Sequence, residues 1–184
     1  MYLNKIYHIK EGIVPDSFCD SIIAEGESSN ITKAEIKDGD KNNRSSKVSW
    51  LDNKKLQSSL SNLVQLANDE SNWNFSLREF EPLQYSIYNV GDHYDWHIDS
   101  HKKPYDNGLI RKLSFTLCLS DDYEGGDFEL CKPNPKPEKH LFKNFELKKG
   151  TMIIFPSFVW HKVNPVLSGI RKTLVGWVVG KPFV

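Results

Sequence analysis

Two imidazoles and one carboxylate in this chain have the types and spacing of a metal site. His97 and Asp99 are two residues apart, and His161 follows in a later part of the chain. Two histidines and one carboxylate cap one face of an octahedral metal and leave the other face open, which is what a non-haem Fe(II) site for dioxygen chemistry requires. No thiolate belongs to the set, so a structural zinc site is a weaker alternative. The three residues predict an iron centre.

A cation and a hydroxyl follow the third candidate ligand. Arg171 comes ten residues after His161, at the start of an apolar run, and Thr173 is two residues further on. Side chains two apart on a strand point to the same side, so both would face one pocket. A guanidinium offers a planar pair of donors that matches a carboxylate. The pair predicts an anchor for the far carboxylate of a dicarboxylic keto acid.

Two other histidines are alternative ligands. His93 and His101 lie at even spacing from His97, so either would share its face on a continuous strand. The same rule places Asp99 on that face, and Asp99 is preferred over His101 because a facial triad calls for one carboxylate. Taken alone, each histidine is more often a surface or core residue, and Arg171 is more often a surface cation. Their order and spacing carry the prediction.

The front third of the chain has helical periodicity. Apolar residues recur at helical spacing behind a polar start within 15–25, which predicts a first helix. A stronger stripe runs from Leu56 through Leu60 and Val64 to Ala67, with Leu66 on its flank, and predicts a second helix. Residues 39–46 have no apolar face and predict a loop. This loop and 101–110 are the candidate lids over the metal.

Beyond Trp73 short β-branched and aromatic runs alternate with turn residues, which predicts a sandwich or barrel. Antiparallel strands of such a fold could bring His161 back beside His97 and Asp99. Within 113–119 the alternation is strict, so the face that carries Cys118 is small and polar and suits a pocket wall, although a buried hydrophobe is the default for that thiol. The predicted strands are 48–51, 75–79, 83–89, 95–99, 111–119, 127–130, 145–147, 152–156, 161–163 and 172–179.

Composition bounds the class of protein without identifying it. Lys plus Arg and Asp plus Glu each number 24, so the formal charge is zero and no global field attracts nucleic acid or an anionic membrane. Three cysteines without CxxC spacing argue against a disulfide framework and predict a reducing, cytoplasmic location. No stretch reaches the length of a membrane span. The 184 residues predict a single domain, with a helical support region at 1–74 and a core at 75–184.

Four ordered blocks of the sequence carry a family resemblance. They are 88–99 (YNVGDHYDWHID), 124–128 (EGGDF), 150–156 (GTMIIFP) and 161–166 (HKVNPV), followed by Gly169 and Arg171. In this order they resemble the Fe(II)- and 2-oxoglutarate-dependent dioxygenases, and within them the prolyl 4-hydroxylase-like branch. The resemblance implies a mostly β fold with flanking helices, a double-stranded β-helix (jelly-roll) sandwich with N-terminal helices packed on one sheet.

The resemblance also implies roles for individual residues. His97, Asp99 and His161 would bind iron. Arg171 and Thr173 would hold the distal carboxylate of 2-oxoglutarate, and Tyr88 matches a tyrosine that reaches this co-substrate. Gly125 and Gly126 match a turn with a structural role. The cofactors implied are Fe(II), 2-oxoglutarate and O2, with ascorbate as a candidate addition.

The implied activity is hydroxylation of a C–H bond with release of succinate and CO2. A protein or peptide side chain is the expected substrate, with proline as the first candidate. A small-molecule hydroxylase on the same scaffold and a non-catalytic metal-binding β-sandwich are the alternatives. Members that repair alkylated DNA have a second arginine at the position of Trp177. This departure and the zero net charge predict no nucleic-acid partner.

Overall fold

The computed structural model describes residues 5–34, 43–101, 103–132 and 136–183. Within these ranges the chain forms two α-helices, one 3₁₀ helix (Lys139–Leu141) and fifteen strands. The helices are α1 (Asp16–Ser28) and α2 (Lys54–Glu70). The strands are β1 (His8–Lys10), β2 (Thr32–Lys33), β3 (Arg44–Ser45), β4 (Lys47–Leu51), β5 (Glu79–Phe80), β6 (Leu83–Tyr88), β7 (His93–His97), β8 (Ile110–Cys118), β9 (Tyr123–Gly125), β10 (Phe128–Cys131), β11 (Phe142–Phe145), β12 (Met152–Pro156), β13 (Trp160–Val163), β14 (Val166–Gly169) and β15 (Arg171–Gly180).

Antiparallel pairing joins these strands into a large sheet, a small sheet and a separate strand pair. The large sheet has the order β1-β12-β8-β15-β6-β4-β2, with β5 also paired to β15. The small sheet has the order β11-β10-β13-β7-β3, and β14 pairs with β9. Apart from β10 and β11, paired strands in these sheets are not consecutive along the chain, so the chain crosses repeatedly between the two layers. The predicted mostly β jelly-roll sandwich is confirmed.

Both helices pack on one face of the large sheet, as predicted. The α2 side chains Leu60 and Val64 and the α1 side chain Ile22 share a hydrophobic core with the β8 residues Phe115 and Leu117. Burial of this apolar stripe stabilises α2, and the Asn53 side chain caps its first turn by accepting a hydrogen bond from the Leu56 N–H at 2.9 Å. The helices thus form the outer layer of the large sheet. No described helix is long and apolar enough to cross a membrane.

Alternate side chains of β8 lie in two different hydrophobic cores, as the sequence alternation predicted. Phe115 and Leu117 belong to the core under the helices, whereas Cys118 lies in a second core with Phe128 and Phe155. Cys118 is fully buried and its thiol contacts backbone carbonyls, so it occupies the wall of the sandwich interior. The face of the large sheet that carries Cys118 therefore packs toward the small sheet, which contributes Phe128.

Several elements differ from the sequence prediction. Arg44 and Ser45, inside the predicted loop 39–46, form β3 by pairing with His93 and Tyr94 of β7. Residues 39–42 of that loop lie outside the described ranges. Of the strand predicted at 75–79, only Glu79 lies in a strand, β5. The short strands β1, β9 and β14 were not predicted, because strands of this length depend on their pairing partners. The residues before 75 accordingly contribute β1 to β4 to the sheets as well as two helices.

Truncation of Leu60 tests whether the helical layer supports the sheet. Leu60 is 1% exposed, whereas Leu66 on the same helix is 42% exposed. We expect Leu60→Ala to lower the free energy of unfolding in urea by about 2–5 kcal/mol through lost burial and a residual cavity. Leu66→Ala should change it by less than about 0.5 kcal/mol. Equal losses in the two variants would contradict the packing described for α2.

Candidate active site

A cavity of about 660 Å³ lies between the two sheets. Its walls come from β6, β8 and β15 of the large sheet and from β7, β10 and β13 of the small sheet. The structure brings all the sequence-predicted site residues into this one space. They are Tyr88, His97, Asp99, His161, Arg171 and Thr173.

The three candidate metal ligands converge at one end of the cavity. Strands β7 and β13 pair with His97 directly opposite His161. The Nε2 atom of His97 lies 3.9 Å from one Asp99 carboxylate oxygen, and Nε2 of His161 lies 3.4 Å from the other. Candidate ligand atoms of the three residues are all within 4.8 Å of one another, and the described residues contain no other such group of three. The arrangement has the size and composition of a metal site.

Asp99 reaches the cluster from outside the strand that carries His97. Strand β7 ends at His97, contrary to the predicted strand 95–99. Beyond it the backbone N–H groups of Asp99 and Ser100 both donate to the Ser157 carbonyl, at 2.9 and 3.0 Å. These two hydrogen bonds fix the turn after β7 against the turn after β12. The Asp99 carboxylate is therefore positioned by a backbone anchor rather than by strand alternation.

Backbone carbonyls orient both imidazoles through their Nδ1 atoms. His97 Nδ1 lies 2.8 Å from the Asp95 carbonyl, and His161 Nδ1 lies 3.0 Å from the Val159 carbonyl. A carbonyl can only accept, so each Nδ1 carries a hydrogen, and Nε2 is the ring atom that faces Asp99. The two Nε2 atoms and the Asp99 carboxylate therefore face one another. This donor set fits a cation, and its imidazole and carboxylate character fits Fe(II).

The electrostatics of the cluster keep the ligands in their binding forms. Burial, followed by the neighbouring His161, lowers the pKa of His97 to about 3. Burial alone would raise the pKa of Asp99, but the adjacent His161 and His97 outweigh it and lower that pKa to about 2. Near neutral pH the cluster therefore holds a neutral His97 imidazole and an ionised carboxylate, the forms that bind a divalent metal.

A second group of polar atoms at the cavity lacks partners. Arg171 and Thr173 are each only 1% exposed, yet Nε and Nη2 of Arg171 and Oγ1 of Thr173 have no hydrogen-bond partner within the described part of the chain. A buried cation with unsatisfied donors is costly unless an anion pairs with it. The planar fork and the hydroxyl fit one carboxylate of a dicarboxylate. The Arg171 Cζ also lies 5.4 Å from the ring centre of Tyr88, its cross-strand neighbour.

The glycine turn before β10 makes room for this arginine. Gly126 has a φ of +63°, and a Cβ built there would lie 2.7 Å from the Arg171 Cδ. Glycine is needed both for the left-handed backbone and for the close approach of the side chain. The sequence predicted a structural role for Gly125 and Gly126, but not the contact with Arg171. That contact depends on long-range packing, for which the sequence carries no direct signal.

The alternative histidines do not join the metal-ligand cluster. His93 lies with its Nδ1 3.5 Å from the Ser45 hydroxyl and 3.4 Å from the Gly91 carbonyl. His101 is an exposed residue of the cavity lining whose ring packs against Tyr105 at 5.2 Å. His101 does not share the face of His97, because strand β7 ends at His97 and its alternation does not continue to residue 101.

Sequence reasoning missed a charged wall of the cavity. Arg111 forms an ion pair with Glu81 at 2.6 Å, and the Tyr105 hydroxyl donates to the same carboxylate at 2.8 Å. The Arg111 Cζ also lies 4.1 Å from the ring centre of Trp177. Arg44, which also lines the cavity, was missed as well. The only available signal was a strand-terminal arginine, which is too common to identify a site.

The chain resembles a known family over most of the region that builds the cavity. A model of the 2OG-Fe(II) oxygenase superfamily matches residues 83–179. A PKHD-type hydroxylase from Synechococcus sp. (strain CC9902) is 39% identical over 106 residues, which cover 55% of this chain and 43% of that protein. The chain spans about half the length of the curated relatives it matches, 43% and 55% in two of them.

Solved structures share the whole fold at low sequence identity. A prolyl-4-hydroxylase from Pseudomonas putida aligns over 97% of this chain and 95% of its own, with a TM-score of 0.73 and 18% identity. A prolyl hydroxylase from Trichoplax adhaerens, in complex with a hypoxia inducible factor peptide fragment, aligns over 95% of this chain and 84% of its own, with a TM-score of 0.71 and 17% identity. At such identities the likeness concerns the fold.

Addition of a divalent metal should stabilise the folded protein. With Mn(II) at about 100 times its dissociation constant, binding to the folded state alone contributes about 2.7 kcal/mol, or roughly 5–10 °C in the thermal midpoint. We expect this shift to vanish in Asp99→Ala and to persist in His101→Ala, as measured by thermal unfolding with and without Mn(II). Loss of the shift in His101→Ala, or its survival in Asp99→Ala, would reverse the ligand assignment.

Proposed function

We propose, because the chain belongs to the 2OG-Fe(II) oxygenase superfamily, that the protein hydroxylates a C–H bond of a substrate while 2-oxoglutarate is converted to succinate and CO2. One oxygen atom of O2 would enter succinate and the other the substrate. The observation that carries this proposal is the coexistence, in one cavity, of three convergent candidate metal ligands and a buried arginine whose Nε and Nη2 have no hydrogen-bond partner among the described residues.

His97, Asp99 and His161 would hold Fe(II) at the small sheet. When bound, the iron would supply the activation of dioxygen and the oxidation of the C–H bond. The two imidazoles keep their Nε2 lone pairs directed inward because Asp95 and Val159 carbonyls accept from their Nδ1–H groups. These hydrogen bonds set the tautomers and limit rotation of the rings.

Arg171 and Thr173 would bind the distal carboxylate of 2-oxoglutarate at the large sheet. Arg171 Nε, Arg171 Nη2 and Thr173 Oγ1, which have no hydrogen-bond partner in the described ranges, would gain charge-assisted hydrogen bonds to that carboxylate. Tyr88, which faces Arg171 across the strand pair, would line the same pocket. Burial of these groups excludes water, which strengthens the electrostatic contact with a bound dianion.

A protein or peptide side chain is the proposed substrate, with proline the first residue to test. The names of the relatives, PKHD-type hydroxylases and prolyl hydroxylases, support this choice. So does the cavity mouth, where Trp50 is 52% exposed and could meet an extended chain. The buried Trp177 Nε1–H has no partner among the described residues and would suit a peptide carbonyl.

Replacement of Arg171 tests the co-substrate site. We expect Arg171→Met to weaken anaerobic binding of 2-oxoglutarate to the Mn(II)-loaded protein by about 100-fold, because two charge-assisted hydrogen bonds are lost. Lys172→Met is the matched control, since the neighbouring Lys172 pairs with Glu27 at 2.7 Å instead. Isothermal titration calorimetry measures both. Equal binding by wild type and Arg171→Met would contradict the proposed carboxylate anchor.

Turnover distinguishes the substrate classes. Succinate release and O2 consumption with Fe(II), 2-oxoglutarate and ascorbate should rise when proline-containing peptides are added, with a 16 Da mass increase (one oxygen atom) in the product peptide. Stimulation by free small molecules alone would favour a small-molecule hydroxylase. Absence of succinate under all these conditions, in a protein that binds both Mn(II) and 2-oxoglutarate, would overturn the proposed activity.

A further inference from the structure

The His97 ring is stacked on a neighbouring aromatic ring. The ring centres of Tyr94 and His97 lie 3.5 Å apart, and their planes differ by 13°. Tyr94 itself is one of the cavity-lining residues, and it offers its ring face to the imidazole. Such contact restricts rotation of the imidazole about its side-chain bonds.

A strand irregularity makes this contact possible. Residues three apart on a regular strand point to opposite sides, so Tyr94 and His97 would not meet. In the β7–β13 pair, however, His97 is opposite His161 while Tyr94 is opposite Val163, so three steps along β7 match two steps along β13. The extra residue is a β-bulge, which turns the side chains of its flanking residues toward the same side. The bulge also includes Asp95, whose carbonyl accepts from His97 Nδ1.

An arginine from a third strand contacts the tyrosine. Strand β3 pairs with β7 so that Arg44 is opposite Tyr94, and the Arg44 Cζ lies 4.6 Å from the centre of its ring. Arg44 Nε donates to the Ser46 hydroxyl, and Nη2 donates to the Gln84 side-chain oxygen, both at 2.8 Å. Gln84 belongs to β6 of the large sheet. Arg44 thus links the two sheets while its guanidinium rests on the ring that supports His97.

We infer that Arg44 and Tyr94 are positioning residues that hold the His97 imidazole for metal binding. The inference rests on the proposed function, because it takes His97 as a metal ligand. Without the stack, the Nδ1 hydrogen bond to Asp95 and a tilted contact with the His161 ring, at 4.0 Å between ring centres, would remain to orient the imidazole at the irregular end of β7. Groups that contact a metal ligand on the side away from the metal, and so orient it, typically change metal affinity by about 10- to 100-fold.

The affinity for Mn(II), a redox-stable probe, tests this inference without enzymatic turnover. Free Mn(II) is counted by electron paramagnetic resonance in titrations of the full chain. We expect Tyr94→Leu to weaken binding about 10-fold, whereas Tyr94→Phe, which keeps the ring, should stay within about twofold of wild type. Arg44→Met should weaken binding by about threefold or more, and Arg44→Lys should restore part of the loss.

The thermal midpoint of the metal-free variants separates positioning from general stability. A positioning role predicts that each variant loses more Mn(II)-binding free energy than unfolding free energy of its metal-free form. Arg44→Met tests this prediction even if Tyr94→Leu does not fold. Wild-type affinity in both Tyr94→Leu and Arg44→Met would overturn the inference and leave the proposed function intact. Failure of the wild-type protein to bind Mn(II) would overturn both.

Discussion

Two imidazole Nε2 atoms and one carboxylate converge on a common centre, where one cation would bind all three. This constraint accounts for much of the surrounding structure. Strand pairing sets His97 opposite His161, the Ser157 carbonyl anchors the backbone of Asp99, and two further carbonyls fix the imidazole tautomers. Each of these contacts uses backbone groups, which cannot rotate away as side chains can. The ligand geometry is thereby built into the sheet itself.

The second charged site belongs to the other sheet. Arg171 and Thr173 stand on β15 of the large sheet, whereas His97 and His161 stand on the small sheet. The distance between a metal at the histidines and a carboxylate at Arg171 would therefore depend on how the two sheets pack. Helices α1 and α2 stabilise the large sheet from outside, and the Arg44–Gln84 hydrogen bond joins the sheets near the mouth. Packing far from the cavity would consequently affect how the two bound groups are placed relative to each other.

Local patterns predicted the parts of the site that lie on regular strands. The alternation in β8, the position of β15 with Arg171 at its start, and the stripe of α2 all follow from periodicity. The parts that depend on long-range pairing were not predictable. They are the bulge beside Tyr94, the turn that carries Asp99, and the pairing of Arg44 with β7, where the sequence predicted a loop. A bulge changes which residues share a face, and only the register with a partner strand reveals it.

A crystal structure of the protein grown anaerobically with Fe(II) and 2-oxoglutarate would test the central claim most directly. The metal should be bonded to Nε2 of His97, to the Asp99 carboxylate and to Nε2 of His161, with the distal carboxylate of the keto acid on Arg171 and Thr173. Iron bound at other residues, or the keto acid held at Arg111 with Arg171 still unpaired, would contradict it.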